Sequence, residues 1–298
     1  MIATDATPVF DATFAVPAAP TIDTVDTISP DEFRRKYLAT NTPLLMRKAT
    51  ADWPAMKKWS FDYFANLKLP KRVYLEKDNV MQGETAYEQL DYADYIRRMI
   101  DSDSDAAQRN GYLSVFRIFR AFPHLKDDVD FSIFSRHKLK NTVSGWIGPA
   151  GTVTGYHIDW GDNVLAQICG RKEVRLVAPK DSRYMYPGNR FDQGTTSSQV
   201  NAEHYDAERF PLFQQATEYR LVVHPGDMLF IPRGWWHHVR SLDKSISVSN
   251  LGYDAKGLVV DLLSQRAKQW LHDIGLYRVP CTCHYVRDGK RVRRSVAN

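Results

Sequence analysis

The sequence predicts a mainly β fold with flanking helices, in which a two-sheet jelly roll forms the core. From about Val143 the chain consists of short β-forming runs separated by turns such as Gly148-Pro149 and Gly170-Arg171. Eight such runs without intervening helices favour a sandwich or barrel, and a two-sheet jelly roll fits them. The predicted strands are Val143–Ile147, Val153–Asp159, Asn163–Cys169, Glu173–Ala178, Tyr219–Val223, Met228–Ile231, His237–Ser241 and Ser245–Asn250.

The segments before this core are predicted to be an arm and a mixed layer. Residues 1–27 are rich in Ala, Thr, Pro and Asp and form a flexible N-terminal arm. Residues 28–142 form a mixed α/β layer of the same domain, which opens with a capping box at Ser29 and Glu32. Its predicted elements are helices 30–37, 61–65 (capped by Ser60) and 92–100, and strands 43–47 and 72–76.

The core, residues 143–253, contains a long insertion and is followed by a helix. The polar and aromatic loop from Pro179 to Ala216 is too long for a simple connection, so we expect it to border an active site. Residues 254–298 form a C-terminal helix and a basic tail. The helix ends near Gly275, and its apolar stripe either packs on the barrel or forms part of a dimer interface. The stripe consists of Leu258, Val259, Leu262, Leu263, Trp270, Leu271 and Ile274.

The composition indicates a cytoplasmic globular protein. Of the 298 residues 43% are apolar, and no apolar run approaches the ~20 residues of a membrane span. The N-terminus shows no secretory signal, and three Cys provide no disulfide framework. Cys281, Cys283 and His284 offer three zinc ligands without a fourth, so they do not predict a zinc site.

The net charge of +5 is located in the tail. From Arg278 onward there are six basic residues and one acidic residue, and the preceding body is balanced. A solvated basic tail explains this distribution, and nucleic-acid binding is not expected.

The most informative residues are a His-x-Asp in one predicted strand and two adjacent histidines in another. Strand side chains alternate, so His157 and Asp159 share one face. Two imidazoles and one carboxylate are the ligands of mononuclear non-haem iron, where they occupy one face of an octahedron. Alternation also places His237 and His238 on opposite faces, so only one of them can be the third ligand.

Lys172 is an unusual residue at its predicted position. It lies at the start of a strand whose other residues on that face are Val174 and Leu176. A Lys on the inner face of a barrel is costly unless it meets an anion. A Lys at the start of a strand can also extend its amine to solvent, and the sequence alone leaves both explanations open.

With these motifs, the chain resembles the JmjC (cupin-like) family of Fe(II)- and 2-oxoglutarate-dependent oxygenases. It most resembles the hydroxylase branch, which includes the asparaginyl hydroxylase inhibiting hypoxia-inducible factor. The resemblance runs from about Ser29 to Tyr253, is strongest from Gly151 to Asn250, and includes Trp53-Pro54-Ala55, Trp59-Ser60 and Phe122-Pro123. It implies a double-stranded β-helix, or jelly-roll, core with Fe(II) inside its open end, and 2-oxoglutarate and O2 as co-substrates.

The resemblance also implies roles for single residues. It selects His237, by its position after Ile231-Pro232, as the third metal ligand beside His157 and Asp159. Lys172 is implied to bind the far carboxylate of 2-oxoglutarate, and Thr154 to add a hydroxyl to that carboxylate.

Three further polar residues resemble co-substrate contacts of the family, namely Asn163, Asn250 and Tyr112. Asn250 shares a predicted strand face with Ile246 and Val248, so an inward-facing amide there needs a hydrogen-bond partner. For the two asparagines, a hydrogen bond to nearby backbone is an equal alternative. For Tyr112, packing in the core is an equal alternative.

The expected function is that of a dioxygenase that hydroxylates a C–H bond, with succinate and CO2 as co-products. A protein or peptide side chain is the leading substrate, as the resemblance implies, and a small metabolite or natural product is the alternative. Lysine demethylation ranks below both of these. Many demethylases of the family carry Glu where this chain has Asp159, which makes demethylation less expected. A cupin that binds metal without turnover is the remaining alternative.

Overall fold

The structure, a computed structural model, describes residues 20–77, 79, 81, 86–101, 111–192, 194–277, 279, 281, 284–287 and 290–293. Most of the predicted arm, Cys283 and the last five residues of the tail lie outside these ranges. The described strands are β1 (Asp23–Val25), β2 (Leu44–Met46), β3 (Arg72–Lys77), β4 (Ala86–Asp91), β5 (Leu113–Phe116), β6 (Lys140–Gly148), β7 (Val153–Asp159), β8 (Asp162–Cys169), β9 (Lys172–Val177), β10 (Thr195–Ser197), β11 (Glu218–Val223), β12 (Met228–Ile231), β13 (Trp236–Ser241), β14 (Ser245–Tyr253), β15 (His284–Arg287) and β16 (Lys290–Arg293).

Two sheets form the jelly-roll core, as the strand pattern predicts. The larger sheet has the order β1-β2-β12-β8-β14-β6-β5, and the smaller has the order β10-β7-β13-β9-β11. All pairs in these two sheets are antiparallel except β1–β2. The eight predicted core strands are all present as β6–β9 and β11–β14, and β7 and β12 have the predicted bounds. Two short hairpins, β3–β4 and β15–β16, lie outside the core sheets.

Apolar side chains fill two layers around the larger sheet. One layer lies between the sheets, where Leu165 and Leu229 meet Val174 and Leu176 of the smaller sheet. The other layer lies on the outer face of the larger sheet, which the N-terminal helices cover. Since both faces of the larger sheet are buried, its strands are apolar on both sides rather than alternating. The residues of β14 that face these two layers are all buried or nearly buried.

The helices are short and lie mostly before the core. They are α1 (Pro30–Phe33), α2 (Pro54–Lys58), α3 (Phe61–Asn66), α4 (Tyr92–Asp101), α5 (Ile118–Ala121), α6 (Ser132–Ser135), α7 (Ala255–Val260) and α8 (Ala267–Asp273). Tighter 3-10 turns occupy Pro123–Asp128, Pro179–Tyr184 and Pro211–Gln215. The described part of the chain contains no helix long and apolar enough to cross a membrane.

The predicted caps are confirmed, and one predicted helix is divided. The Ser60 hydroxyl accepts the Tyr63 N–H at 3.0 Å, and the Ser29 hydroxyl accepts the Glu32 N–H at 3.2 Å. The helix predicted over 30–37 is α-helical only to Phe33 and continues as a π-helix from Arg34 to Leu38. The Glu32 carboxylate forms an ion pair with Lys36 at 2.7 Å.

The predicted C-terminal helix is present, with a π-helical segment, Asp261–Arg266, between α7 and α8. Gly275 ends it with φ +79°, a conformation that favours glycine. Its apolar stripe is largely uncovered: Leu263 is 74% exposed and Trp270 is 63% exposed.

The long loop 179–216 covers the outer face of the smaller sheet. The Trp236 indole N–H donates to the Ser182 hydroxyl at 2.9 Å, and Met185 packs against Trp236 and Tyr156. The loop then returns as β10, which pairs with β7 opposite His157 and Asp159. The loop therefore borders the residues predicted to hold the metal.

Candidate metal centre and co-substrate pocket

Three side chains of the smaller sheet meet at the end of the barrel. His157 and Asp159 lie two residues apart on β7, and β13 places His237 directly opposite His157. The two imidazole ring centroids are 4.0 Å apart. One ligand atom from each of the three residues lies within 4.8 Å of the others. Two imidazoles and a carboxylate at this spacing fit a single metal ion bound on one face, as predicted.

Hydrogen bonds orient both imidazoles toward the centre. Nδ1 of His157 lies 2.9 Å from the Gly155 carbonyl oxygen, and Nδ1 of His237 lies 3.0 Å from the Trp235 carbonyl oxygen. A carbonyl oxygen only accepts, so each Nδ1 carries the proton and each Nε2 presents its lone pair. These Nε2 atoms lie 4.0 Å and 3.6 Å from the Asp159 carboxylate oxygens. The tautomer required of a histidine metal ligand is thus set by the backbone.

Burial leaves the three groups in need of a cation. Burial raises the pKa of Asp159, with His157 opposing this rise. Burial also lowers the pKa of His237 well below its ordinary value, and the neighbouring His157 lowers it further. Both pKa shifts reflect the cost of an isolated charge in a buried site. A divalent cation bound by the three groups offsets that cost. The donor set therefore fits Fe(II), the metal that the resemblance implies.

A cavity of about 300 Å³ lies between the two sheets, with the three ligands on one wall. The opposite wall belongs to the inner faces of β6, β8 and β14. Its lining residues are Met81, Val115, Thr142, Ser144, Trp146, Thr154, His157, Asp159, Asn163, Leu165, Lys172, Gly194, Thr195, Ile231, His237, Val239, Ser249, Leu251 and Tyr253. The triad thus has an enclosed space in front of it that suits a small co-substrate together with a substrate group.

Lys172 lies inside this cavity and is 1% exposed. Its amine does not reach solvent as a strand-end Lys would, and instead donates to the Tyr112 hydroxyl at 3.2 Å. Among the described residues no carboxylate pairs with it, and burial lowers the pKa of Lys172 to about 7. A buried amine with one neutral partner has unused hydrogen-bonding capacity, which suits an incoming carboxylate.

Thr154 reaches the same part of the cavity through an irregularity in β7. His157 pairs with His237, but Thr154 pairs with Val239, so β7 has one more residue than β13 between these pairs. In a regular strand, residues three apart face opposite sides, and the bulge brings Thr154 onto the inner face beside His157. The Thr154 hydroxyl bonds the Tyr112 hydroxyl, whose pKa burial raises well above its ordinary value.

The two predicted asparagines have different positions. Asn163 lines the cavity, and its amide donates to the Asp159 carboxylate at 3.2 Å. Asn250 is not brought to the cavity, which corrects the predicted co-substrate contact. The β14 residues that line the cavity are Ser249 and Leu251, whereas Asn250 alternates to the face of Val248, in the outer apolar layer. The side-chain amide oxygen of Asn250, Oδ1, is buried there without a hydrogen-bond partner.

His237 and His238 point to opposite faces, as predicted. His238 lies on the outer face of the smaller sheet beneath the long loop, with Nε2 3.3 Å from the Glu203 carboxylate. Its ring also packs at 5.4 Å from that of Tyr156. The third position of the triad therefore belongs to His237.

Sequence reasoning missed several residues of the wall that faces the triad. Trp146, Thr142 and Ser144 share the inner face of β6, and the Trp146 indole N–H donates to the Ser249 hydroxyl at 2.8 Å. The alternation of side chains along β6 predicts that Ser144 and Thr142 share a face with Trp146. It does not predict which face of the strand points into the cavity. Val115 at the cavity mouth had no detectable signal, because its position depends on a bulge in β5.

Comparison with known proteins identifies the family. The profile of the cupin-like domain family matches residues 30–256. Lysine-specific demethylase 8 of Xenopus tropicalis is 33% identical over 249 residues, which are 81% of this chain and 54% of the relative. Jumonji C domain-containing protein 5 of Drosophila melanogaster is 32% identical over 236 residues, 76% of this chain and 59% of the relative.

A more distant human relative is HSPB1-associated protein 1, which is 26% identical over 242 residues, 74% of this chain and 49% of the relative. The chain thus spans about half the length of the curated relatives it matches. Fe(II) and 2-oxoglutarate are the metal and co-substrate that fit the three ligands and the buried amine. On the evidence of the matched profile, the jelly-roll core and the His157–Asp159–His237 centre, this chain belongs to the cupin-like (JmjC) domain family.

Proposed function

We propose that this protein is an Fe(II)- and 2-oxoglutarate-dependent dioxygenase that hydroxylates a C–H bond on a protein or peptide side chain. Succinate and CO2 are the co-products. The observation that carries the proposal is the joint occurrence, in one cavity, of a three-residue metal site and a fully buried Lys172. Neither feature stabilises a fold by itself, since each buries groups that cost free energy when left unpaired.

Each residue has a separate role in this proposal. His157, Asp159 and His237 hold the metal through one face and leave its remaining positions directed into the cavity. When bound, Fe(II) and 2-oxoglutarate supply the activation of dioxygen that C–H oxidation needs. Lys172 binds the far carboxylate of the co-substrate by a charge-assisted hydrogen bond. Asn163 holds the Asp159 carboxylate in place through its amide N–H.

The cavity wall that faces the triad supports an uncharged substrate group. Its polar groups are neutral: the hydroxyls of Thr142, Ser144, Ser249 and Tyr253, the Trp146 indole N–H and the Asn163 amide. Among the described lining residues, the one carboxylate is Asp159, which is a metal ligand. A neutral side chain that offers a C–H bond to the metal and hydrogen bonds to this wall fits such a lining, and a neutral small molecule is the alternative.

Lysine demethylation is the second candidate, because the relative from Xenopus tropicalis is named a lysine-specific demethylase. Oxidation of an N-methyl group begins with the same C–H hydroxylation, after which the product releases formaldehyde. The two candidates therefore need the same metal site and differ in the substrate group that the cavity accepts. A methylated ammonium needs a carboxylate or an aromatic cage for its charge.

Anaerobic titration with Fe(II) and 2-oxoglutarate tests the proposal. We expect a weak visible charge-transfer band from a chelated complex, which His237→Ala removes and Lys172→Ala weakens. His238→Gln is the matched control, because this neighbour faces away from the cavity and should leave the band intact. Absence of the band in the wild type, with metal bound, would contradict the oxygenase proposal.

The substrate class is tested by product analysis. Succinate formation is followed with unmodified peptides, with methyl-lysine peptides and with small-molecule pools. A mass gain of one oxygen on an unmodified peptide supports hydroxylation, whereas formaldehyde release with methyl-lysine peptides supports demethylation. Turnover with small molecules alone would contradict the protein or peptide assignment.

A homodimer through the C-terminal helix is a further part of the proposal. The exposed stripe on α7, the π-helical segment and α8 includes Val259, Leu263, Trp270 and Ile274, and exposed apolar surface of this extent marks interaction sites. A second copy of the same helix would cover the stripe by an isologous contact. Sedimentation equilibrium should show a dimer that becomes a monomer on Trp270→Glu, and a monomeric wild type would contradict it.

A further inference from the structure

A buried ion pair involves Asp162, which follows the metal ligand Asp159 by three residues in the chain. Lys138 precedes β6, and Asp162 is the first residue of β8. The two side chains are 1% and 4% exposed, and the amine contacts the carboxylate. The space around the Lys138 amine is tightly packed. The centroid of the Phe134 ring lies 5.2 Å from the amine, and a Cβ added to Gly252 would lie 2.5 Å from the Lys138 side chain.

Stability does not explain such a pair. Removing two charges from water costs about as much as their attraction returns, so that apolar residues of similar volume often replace a buried ion pair without loss. A reason for this pair must lie in what the carboxylate holds in place. Its second oxygen, Oδ1, accepts the backbone N–H of Arg233 at 2.9 Å.

Arg233 belongs to the turn that leads from β12 into β13. Its guanidinium makes two hydrogen bonds to Asp254, at 3.1 Å and 2.6 Å. The next residue, Gly234, donates its backbone N–H to the Asp159 carbonyl oxygen at 3.1 Å. The turn is therefore attached on one side to Asp162 and on the other to the backbone of a metal ligand.

The same turn orients the third ligand. Two residues after Arg233, the Trp235 carbonyl oxygen holds Nδ1 of His237 at 3.0 Å. On the other strand, Asn163 follows Asp162 and binds the Asp159 carboxylate at 3.2 Å. The Asp162 carboxylate is thus linked through the 232–235 turn to both ligand-bearing segments, to the Asp159 backbone through Gly234 and to His237 through Trp235.

We propose that Asp162 is a positioning residue of the metal centre, which sets the distance between His237 and Asp159 before the metal binds. Its acceptor oxygen locates the 232–235 turn, and Lys138 keeps the carboxylate in the one orientation that aims Oδ1 at Arg233. The ion pair is the support of this hydrogen bond, and the fold does not depend on it. Because the proposal concerns metal binding, it stands or falls separately from the oxygenase activity.

Two double variants separate positioning from stability. Asp162→Asn with Lys138→Gln replaces the ion pair by an amide pair and retains an oxygen that accepts the Arg233 N–H. Asp162→Leu with Lys138→Met fills the same space with apolar side chains and removes the acceptor. The probe is Co(II) added to the apo-protein, with its visible absorption spectrum and dissociation constant as readouts, and thermal unfolding measured in parallel.

The apolar pair should remain folded, because the apolar contacts offset the lost ion pair, yet bind Co(II) ~10–100-fold more weakly and with an altered spectrum, as expected when support of a ligand is lost. The amide pair should retain the wild-type spectrum, with a dissociation constant within about threefold, because the acceptor remains. Wild-type Co(II) binding by the apolar pair would overturn the proposal. Failure of the apolar pair to fold, or equal weakening by the amide pair, would also overturn it, since either result assigns the ion pair another role.

Discussion

The Lys172 amine donates to the Tyr112 hydroxyl at 3.2 Å, and the described structure offers it no carboxylate partner. A buried amine without a carboxylate partner is fully protonated only when an anion binds beside it. Burial lowers the pKa of Lys172 to about 7, so at higher pH the empty pocket holds a neutral amine. Binding of a dicarboxylate restores the charge, which makes proton uptake part of co-substrate binding.

The first prediction is that 2-oxoglutarate affinity falls as pH rises above about 7. Because the bound form needs the protonated amine, the dissociation constant should increase by up to ~10-fold per pH unit between pH 7.5 and 8.5. Anaerobic titration of the Fe(II) protein at several pH values measures this slope. Lys172→Met is the control, with weak binding that does not depend on pH in this range. A flat wild-type profile would show that Lys172 is already charged in the empty pocket.

The second prediction is that Lys172→Met stabilises the protein while it weakens co-substrate binding. The folded-state pKa of Lys172 is lowered to about 7, so the folded protein binds fewer protons than the unfolded chain up to about pH 10. The free energy of unfolding that this residue contributes therefore rises with pH from 7 upward. Lys172→Met has neither the cost of burying the amine nor this dependence on pH. The difference in free energy of unfolding between the variant and the wild type should therefore be greatest at or below pH 7 and should shrink toward pH 9.

Urea denaturation of the metal-free proteins measures both effects. Lys180→Met, which removes an exposed lysine from the long loop, is the control and should leave the free energy of unfolding unchanged. A loss of stability in Lys172→Met at pH 6 would show that the amine has a stabilising partner, and would contradict the prediction.

Much of the metal site could be predicted because it depends on local geometry. The relative direction of His157 and Asp159 follows from strand period alone, and the opposite directions of His237 and His238 follow in the same way. The pairing of His157 with His237 joins segments far apart in the sequence, and no local rule specifies it. The resemblance to a family supplied that step.

The errors and omissions have physical causes of two kinds. The co-substrate contact predicted for Asn250 follows from the resemblance, and the strand pattern does not test it, because both faces of β14 are buried and apolarity does not distinguish them. Thr154 reaches the cavity only through the bulge in β7, which reverses the direction expected from its spacing. Bulges depend on how two strands pair, so the spacing within one strand does not reveal them.

Val115 has the most unfavourable backbone conformation near the cavity. Its φ is +46°, a value that β-branched residues rarely adopt. On β5, Leu113 pairs with Ile147 and Phe116 pairs with Gly145, so β5 carries one extra residue there. The extra residue allows Leu113 and Phe116 both to enter the apolar core and turns Val115 to the mouth of the cavity.

The third prediction is that Val115→Gly stabilises the protein by about 1 kcal/mol. Glycine adopts a positive φ without the cost of ~1–3 kcal/mol that other residues carry, and this gain exceeds its greater entropy loss on folding. Val115 is 55% exposed, so little packing is lost. Urea denaturation measures the change. Ile100→Gly is the control, because Ile100 is also a β-branched residue that is partly exposed (37%) but lies in α4. It should destabilise by about 0.5 kcal/mol, and a similar loss for Val115→Gly would contradict the prediction.

The fourth prediction concerns Glu203, which attaches the long loop to the outer face of the smaller sheet. Its carboxylate lies 3.3 Å from Nε2 of His238 and 3.8 Å from the Arg175 guanidinium, and it forms an ion pair with Arg240. The close approach of His238, followed by the charges of Arg240 and Arg175, lowers the pKa of Glu203 to about 2. Glu203→Gln should therefore reduce the free energy of unfolding by ~1–3 kcal/mol at pH 7.

The pH dependence of this loss has a defined sign. A carboxyl group with a lowered folded-state pKa stabilises the fold above its unfolded pKa, and this contribution disappears as pH falls toward the folded value. The difference between wild type and Glu203→Gln should shrink as the pH falls below about 4.5. Glu208→Gln on the exposed part of the same loop should show no difference at any pH. Equal stability of wild type and Glu203→Gln at pH 7 would show that the ion pairs contribute nothing.

The fifth prediction is that a divalent metal stabilises the folded protein through the three ligands. A metal that binds only the folded state adds about 2.7 kcal/mol to the free energy of unfolding at a free concentration 100 times its dissociation constant. Mn(II), which suits the same ligands and resists oxidation, should raise the unfolding temperature of the apo-protein and should not do so in His157→Ala.

This stabilisation should weaken in acid, because protons and metal compete for the Asp159 carboxylate. Burial raises the pKa of Asp159, so protonation begins at a higher pH than for an exposed aspartate. The Mn(II)-dependent increase in unfolding temperature should therefore shrink as the pH falls below 7, and should begin to do so at a higher pH than an exposed aspartate would allow. His238→Gln should retain the full increase, since its side chain faces the long loop. Loss of the increase in His238→Gln with retention in His157→Ala would place the metal elsewhere, and the assignment of the centre would be wrong.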